Sequence, residues 1–146
     1  RSAIGQPAGD LAAAADIETS EPWARASVGT TRPGVAYMRF ENQGEEPAVL
    51  TGVKTAVAKR PELHRTVVRD GQVRMRPVED LEISAGGSAA LAPGGLHVML
   101  VGLRRKLNEG DTFELTLRFA DGDEYLVTVP VLSIGARGPG DANNTQ

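Results

Sequence analysis

Apolar and polar residues alternate along most of this chain with a period of two. In TFELTLRFA (112–120), Phe113, Leu115, Leu117 and Phe119 fall on one side while Glu114, Thr116 and Arg118 fall on the other, as in a strand with one dry face. Strands of the same kind are expected at WARASV (23–28), VAYMRFEN (35–42), AVLTGVKT (48–55), ELHRTVV (62–68), QVRMRPV (72–78), SAALA (88–92), LHVMLVG (96–102) and EYLVTVPV (124–131). The segments between them, RPG, NQGEE, DG, AGG, PGG, NEGD and DGD, supply the Gly, Pro, Asn and Asp that tight turns need. Asp70-Gly71 is a strong hairpin signal. With no internal repeat and no sustained 3.6-residue period outside an Ala-rich start, the pattern predicts an all-β sandwich or barrel.

The ends of the chain lack this alternation. Residues 1–16 mix Gly, Pro and Ala and read as a flexible N-terminal extension; residues 135–146 are rich in Gly and polar groups and read as a flexible tail. One domain is therefore expected over 17–134, and 146 residues is long enough for it to bury a core. A chain that starts at Arg1 reads as a mature segment from which a signal peptide or lipid anchor has been trimmed. Asn143-Asn144-Thr145 matches a glycosylation acceptor, a pattern common by chance.

Charge suggests neither of two classes of partner. At 24% charged residues and a net charge of −3, no strong field favours nucleic acid or an anionic membrane surface, and no apolar run is long enough to span a bilayer. There is no cysteine, which removes disulfides, thiolate metal sites and a thiol nucleophile together. Two histidines, His64 and His97, and three methionines, Met38, Met75 and Met99, are left as candidate ligands. Met38 shares a face with Ala36 and Phe40 and reads as core.

In LHVMLVG, Leu96, Val98 and Leu100 share one face, and His97, Met99 and Val101 share the other. Side chains two apart on a strand start about 6.6 Å from one another and project in parallel, so His97 and Met99 can lean towards one ion. A buried, hydrogen-bonded histidine beside a gap-filling methionine is the competing reading. His64 and Met75 sit on the two arms of the hairpin turning at Asp70-Gly71, with Met75 expected to face inward beside Val73 while Arg74 and Arg76 point to solvent. Imidazole and thioether without thiolate suit copper(I) better than zinc, calcium or magnesium. The absence of cysteine also fits an oxidising compartment.

The spacing His64, ten residues, Met75, twenty-one residues, His97, one residue, Met99 resembles the H-x10-M-x21-H-x-M signature of the periplasmic copper chaperones called PCuAC. The flanking wording, WARAS, AYMRFEN, ELH, RMRPV, LEISAGG, LAPGGLHVMLVGL and EGDTFELTLRF, is similar as well, from about Trp23 to Val131. The resemblance implies a cupredoxin-like Greek-key β-barrel or sandwich, acting as a monomer outside the cytoplasmic membrane. It would hold one copper ion, Cu(I) in preference to Cu(II), through His64, Met75, His97 and Met99. It would pass that ion to a copper-accepting protein such as a cytochrome c oxidase subunit or a thiol-bearing assembly factor. Val68 and its neighbours offer none of the extra methionines of some relatives, and the tail lacks the His and Met clusters of others, so no second site is expected.

Glu62, two residues before His64, reads either as a solvated carboxylate or as the acceptor that fixes the His64 tautomer. Trp23 is expected to pack over a barrel end. The run Arg104, Arg105, Lys106 reads as a solvated loop or as a steering patch for an acidic partner. No paired carboxylates, serine–histidine arrangement or phosphate-cradling loop stands out, so no enzymatic activity is expected. A copper storage or uptake protein, and a β-sandwich interaction module without metal, are the alternative functions. An electron-transfer cupredoxin is excluded because blue-copper sites use a cysteine thiolate.

Overall fold

The computed structural model describes residues 16–139. Ten strands form among them, and no α-helix: β1 (Ile17–Arg25), β2 (Gly34–Asn42), β3 (Ala48–Thr55), β4 (Ala58–Arg69), β5 (Gln72–Pro77), β6 (Leu81–Ile83), β7 (Ser88–Leu91), β8 (Leu96–Leu103), β9 (Thr112–Phe119) and β10 (Glu124–Leu132). One sheet runs β5-β4-β8-β2-β1, with β7 also paired to β2, and the other runs β10-β9-β3-β6. A short parallel pairing, Ala24 with Val131 and Arg25 with Leu132, joins them along one side. The all-β expectation holds, and the architecture is a β-sandwich.

The core lies between the sheets and is built by the alternation read from the sequence. Ala36, Met38 and Phe40 of β2 and Val98 and Leu100 of β8 face Leu115, Leu117 and Phe119 of β9, and each is buried. Burying a side chain the size of Met38 or Phe40 stabilises the fold by roughly 1.5–3 kcal/mol. Asn42 is buried with them, its amide donating to the carbonyls of Glu46 and Ile83 and its oxygen accepting from the Gly44 amide. That network ties the three-residue β6 to the sandwich, where Ala48 pairs with Ile83 and Leu50 with Leu81.

Three boundaries differ from expectation. β1 starts at Ile17 rather than Trp23, its register interrupted between Ser20 and Trp23, where Glu21 has a φ of 53°. β4 starts at Ala58, running through Pro61 before reaching ELH. The chain is still packed beyond residue 134: Ala136, within the stretch expected to be tail, is buried and its carbonyl accepts a 2.7 Å hydrogen bond from Arg25 Nε. The N-terminal extension before Asp16, the last residues of the tail and the Asn143 acceptor lie outside the described residues.

Candidate metal centre

The site residues stand on three neighbouring strands, β5-β4-β8. His64 is directly across from His97, Glu62 from Met99 and Thr66 from Met75. Directly opposed residues share a face, as do alternate residues along β4, so Met75, His64, His97, Met99 and Glu62 all project from the outer face of this sheet. They form a diagonal band across it, with Met75 and Met99 at the two ends. The hairpin that places Met75 is fixed by its turn: Asp70 and Gly71 both have positive φ, 54° and 77°, as a type I′ connection requires.

Met75 does not face inward as the sequence suggested. It is 48% exposed and its neighbour Val73 is 65% exposed. Beyond Arg65, β4 no longer pairs with β8, and the β4–β5 ribbon leaves the sandwich with no second layer to cover either face. Alternation in QVRMRPV was read as dry against wet, but here both faces are wet.

The two imidazole rings lie 6.0 Å apart, centroid to centroid. His64 Nε2 is 2.9 Å from Glu62 Oε1. A carboxylate only accepts, so Nε2 carries the proton and Nδ1 keeps its lone pair. His97 Nδ1 is 3.3 Å from the Gly95 carbonyl, which likewise only accepts and leaves Nε2 as the bare nitrogen. The same Gly95 carbonyl accepts from the Thr66 amide at 3.0 Å, so the PGG turn before β8 both orients the His97 ring and clamps β4. The two nitrogens left bare, His64 Nδ1 and His97 Nε2, are buried and have no hydrogen-bond partner. Leaving a buried polar atom unsatisfied costs about 1–3 kcal/mol, and a bound cation would satisfy both at once.

Charge in the site follows from these contacts. The hydrogen bond from His64 holds the Glu62 carboxyl below the ordinary glutamate range. Burial holds His97 below the ordinary histidine range, which keeps its ring neutral and able to donate a lone pair. Among the described residues, no three of His, Cys, Asp and Glu gather as a hard or borderline cation would need. The donors on this face are two imidazoles and two thioethers, a set suited to a soft ion.

Sequence reading missed an aromatic cluster on this sheet. Val35 is opposite Met99 on β8, and Tyr37, two residues on, shares that outer face beside His97. Tyr37 stacks on Trp23 with ring centroids 4.5 Å apart, and the Arg25 guanidinium covers both rings at 5.6 and 5.8 Å. Trp23 is thus buried in a cluster with Tyr37 and Arg25. Its only sequence signal was that Trp23 and Tyr37 fall opposite the core-facing Ala24 and Ala36. The basic run Arg104, Arg105, Lys106 is exposed at the other end of β8, roughly 23 Å from His97 along the strand, too far to frame the site.

Residues 17–131 match the family described as "Putative lipoprotein LpqE-like". The chain belongs to the LpqE-like family. This LpqE-like chain is 36% identical over 117 residues to "Putative lipoprotein Lxx21020" of Leifsonia xyli subsp. xyli, covering 79% of this chain and 69% of that protein. Among solved structures it is similar to the "Copper-bound PCuAC domain from PmoF2", with a TM-score of 0.68 and 25% identity over 81% of this chain and 93% of that domain. It is also similar to "CuI-DR1885" from Deinococcus radiodurans, with a TM-score of 0.62 and 33% identity over 86% of each chain. The fold of this LpqE-like chain is thus that of PCuAC domains.

Proposed function

We propose that this chain is an extracytoplasmic copper chaperone that binds one Cu(I) and hands it to a partner protein. The observation that carries the reading is the pair of buried imidazole nitrogens, His64 Nδ1 and His97 Nε2, both bare and both on rings 6.0 Å apart. Met99, beside His97 on the same face, and Met75, on the hairpin, complete a two-nitrogen, two-sulfur set. Two thioethers favour Cu(I) over Cu(II). The copper bound by two similar structures, the PCuAC domain from PmoF2 and CuI-DR1885, supports the metal, and the lipoprotein names of the family and its relative support the location.

The graded exposure of the ligands suits transfer. Met75 is 48% exposed and His97 only 3%, so an incoming thiol or thioether meets Met75 first and His97 last. Exchange can proceed one ligand at a time with no chemistry on the ion beyond ligand replacement. A recipient with a sulfur-rich site, such as an assembly factor or subunit of cytochrome c oxidase, fits this order of release.

Titration with Cu(I) under reducing conditions against a competing chromogenic chelator tests the reading. One tightly held ion per chain, lost in His64→Ala and His97→Ala, is the expected result. A chain that binds no Cu(I) stoichiometrically is instead an interaction module, and a chain that binds copper but does not yield it to a thiol acceptor is a storage protein.

A further inference from the structure

The β4–β5 ribbon beyond Arg65 carries two opposed surfaces that copper binding alone does not explain. On the face shared with His64, Val68 and Val73 oppose one another directly and are 67% and 65% exposed, with Met75 next to them. On the reverse face, Arg65 is directly across from Arg76, and Arg69 and Arg74 lie alongside, all four exposed. Asp70 is the one carboxylate between residues 65 and 76, in a chain whose net charge is −3. Like charges placed directly across a strand pair destabilise it, and exposed cross-strand valines gain nothing from water. The free protein pays twice for this ribbon.

We propose that the ribbon is the docking element for an acidic protein acceptor, a partner with an apolar floor for Val68, Val73 and Met75 and a rim of carboxylates for Arg65, Arg69, Arg74 and Arg76. This rests on the reading of the site as one that gives up copper, and it adds where the recipient sits. Seating the partner on the valine face brings it against Met75, the most exposed candidate ligand. A carboxylate rim relieves the Arg65–Arg76 repulsion, so charge contributes to encounter and orientation. An anionic bilayer fits less well: with the valines immersed, the four guanidinium groups point away from the headgroups. A protein cleft can hold both faces of a two-stranded ribbon.

The test uses two synthetic peptides of equal length with the same Leu-Cys-Leu centre, one flanked by glutamates and one by lysines, titrated into the metal-free full chain and followed by backbone amide NMR. At low salt the acidic peptide is expected to bind about tenfold tighter than the basic one, with affinity falling as salt rises. Its shifts should centre on residues 66–75. Val68→Thr/Val73→Thr, which keeps the β-branched shape, and Arg65→Gln/Arg76→Gln should each weaken it about fivefold or more while leaving the remaining spectrum unchanged. Equal binding of the two peptides, shifts centred on Arg104–Lys106, or unchanged affinity in both variants would overturn the proposal. So would tighter binding to phosphatidylglycerol vesicles than to the peptide, which would make the ribbon a membrane element. Because the titration contains no copper, a failure to bind Cu(I) would register separately.

Discussion

Glu62→Ala removes the group that decides which nitrogen of His64 is available. At neutral pH the Glu62 carboxyl is ionised, its pKa held down mainly by the His64 hydrogen bond, and it accepts from Nε2 at 2.9 Å. A hydrogen bond to a charged group contributes about 1.5–3 kcal/mol when shielded; with the Glu62 side chain 39% exposed, the low end applies, about 1.5 kcal/mol or roughly tenfold in affinity. That value matches the lower bound of about 10–100-fold seen when the carboxylate behind a metal-bound histidine is removed. Competition between the protein and a chromogenic Cu(I) chelator gives the affinity, and ¹⁵N NMR of the imidazole reports the tautomer. Glu62→Ala should bind Cu(I) about tenfold more weakly and show mixed His64 tautomers, whereas Glu62→Gln, which retains an acceptor oxygen, should lose no more than about threefold. An alanine variant with native affinity and a single Nε2-protonated tautomer would refute the reasoning.

Met75→Leu keeps volume at a half-exposed position, so urea unfolding should shift by no more than about 0.5 kcal/mol while Cu(I) affinity falls clearly. Equal losses in both would mean Met75 is structural. Gly71→Ala puts a Cβ at φ 77° where no neighbouring atom lies within 4 Å, so its cost is purely conformational, about 1–2 kcal/mol, and should appear as faster amide exchange in the β4–β5 hairpin. For pH, the His97 pKa in the folded chain lies below its ordinary value of 6.5 because burial disfavours the charged ring. Above that value both folded and unfolded rings are neutral; as pH falls through it, the unfolded chain takes up the proton first, so metal-free stability declines towards acid. Urea midpoints measured between about pH 7.5 and 5 should show this decline, and His97→Gln should flatten it.

The long, regularly alternating strands were legible because a single pattern decides them. β3 runs over Ala48–Thr55 and β9 begins at Thr112 as expected, and the Asp70-Gly71 turn is where the dipeptide put it. The segments missed are those where another force replaced alternation. β6 is three residues held by the Asn42 side chain, and β1 begins in IETSEP, whose polar run and irregular register hide a strand. The start of β4 contains Pro61, which is opposite Leu100 of β8 on a stretch whose other edge is unpaired, so its missing N–H breaks no ladder. The scarcity of His and Met, with the resemblance to the PCuAC signature, brought out the four candidate ligands, and the sheet brings their positions onto one face. It did not reveal the cluster of Tyr37, Trp23 and Arg25, nor the outward exposure of Met75, because both depend on how the strands pair and where they end.

X-ray absorption at the copper edge of the Cu(I)-loaded chain bears most directly on the claim that imidazole and thioether together hold the ion. Scattering from two nitrogens and two sulfurs per copper, with one sulfur lost in Met75→Leu and one in Met99→Leu, is the predicted result. A shell with no sulfur, or one unaltered by either substitution, would contradict it.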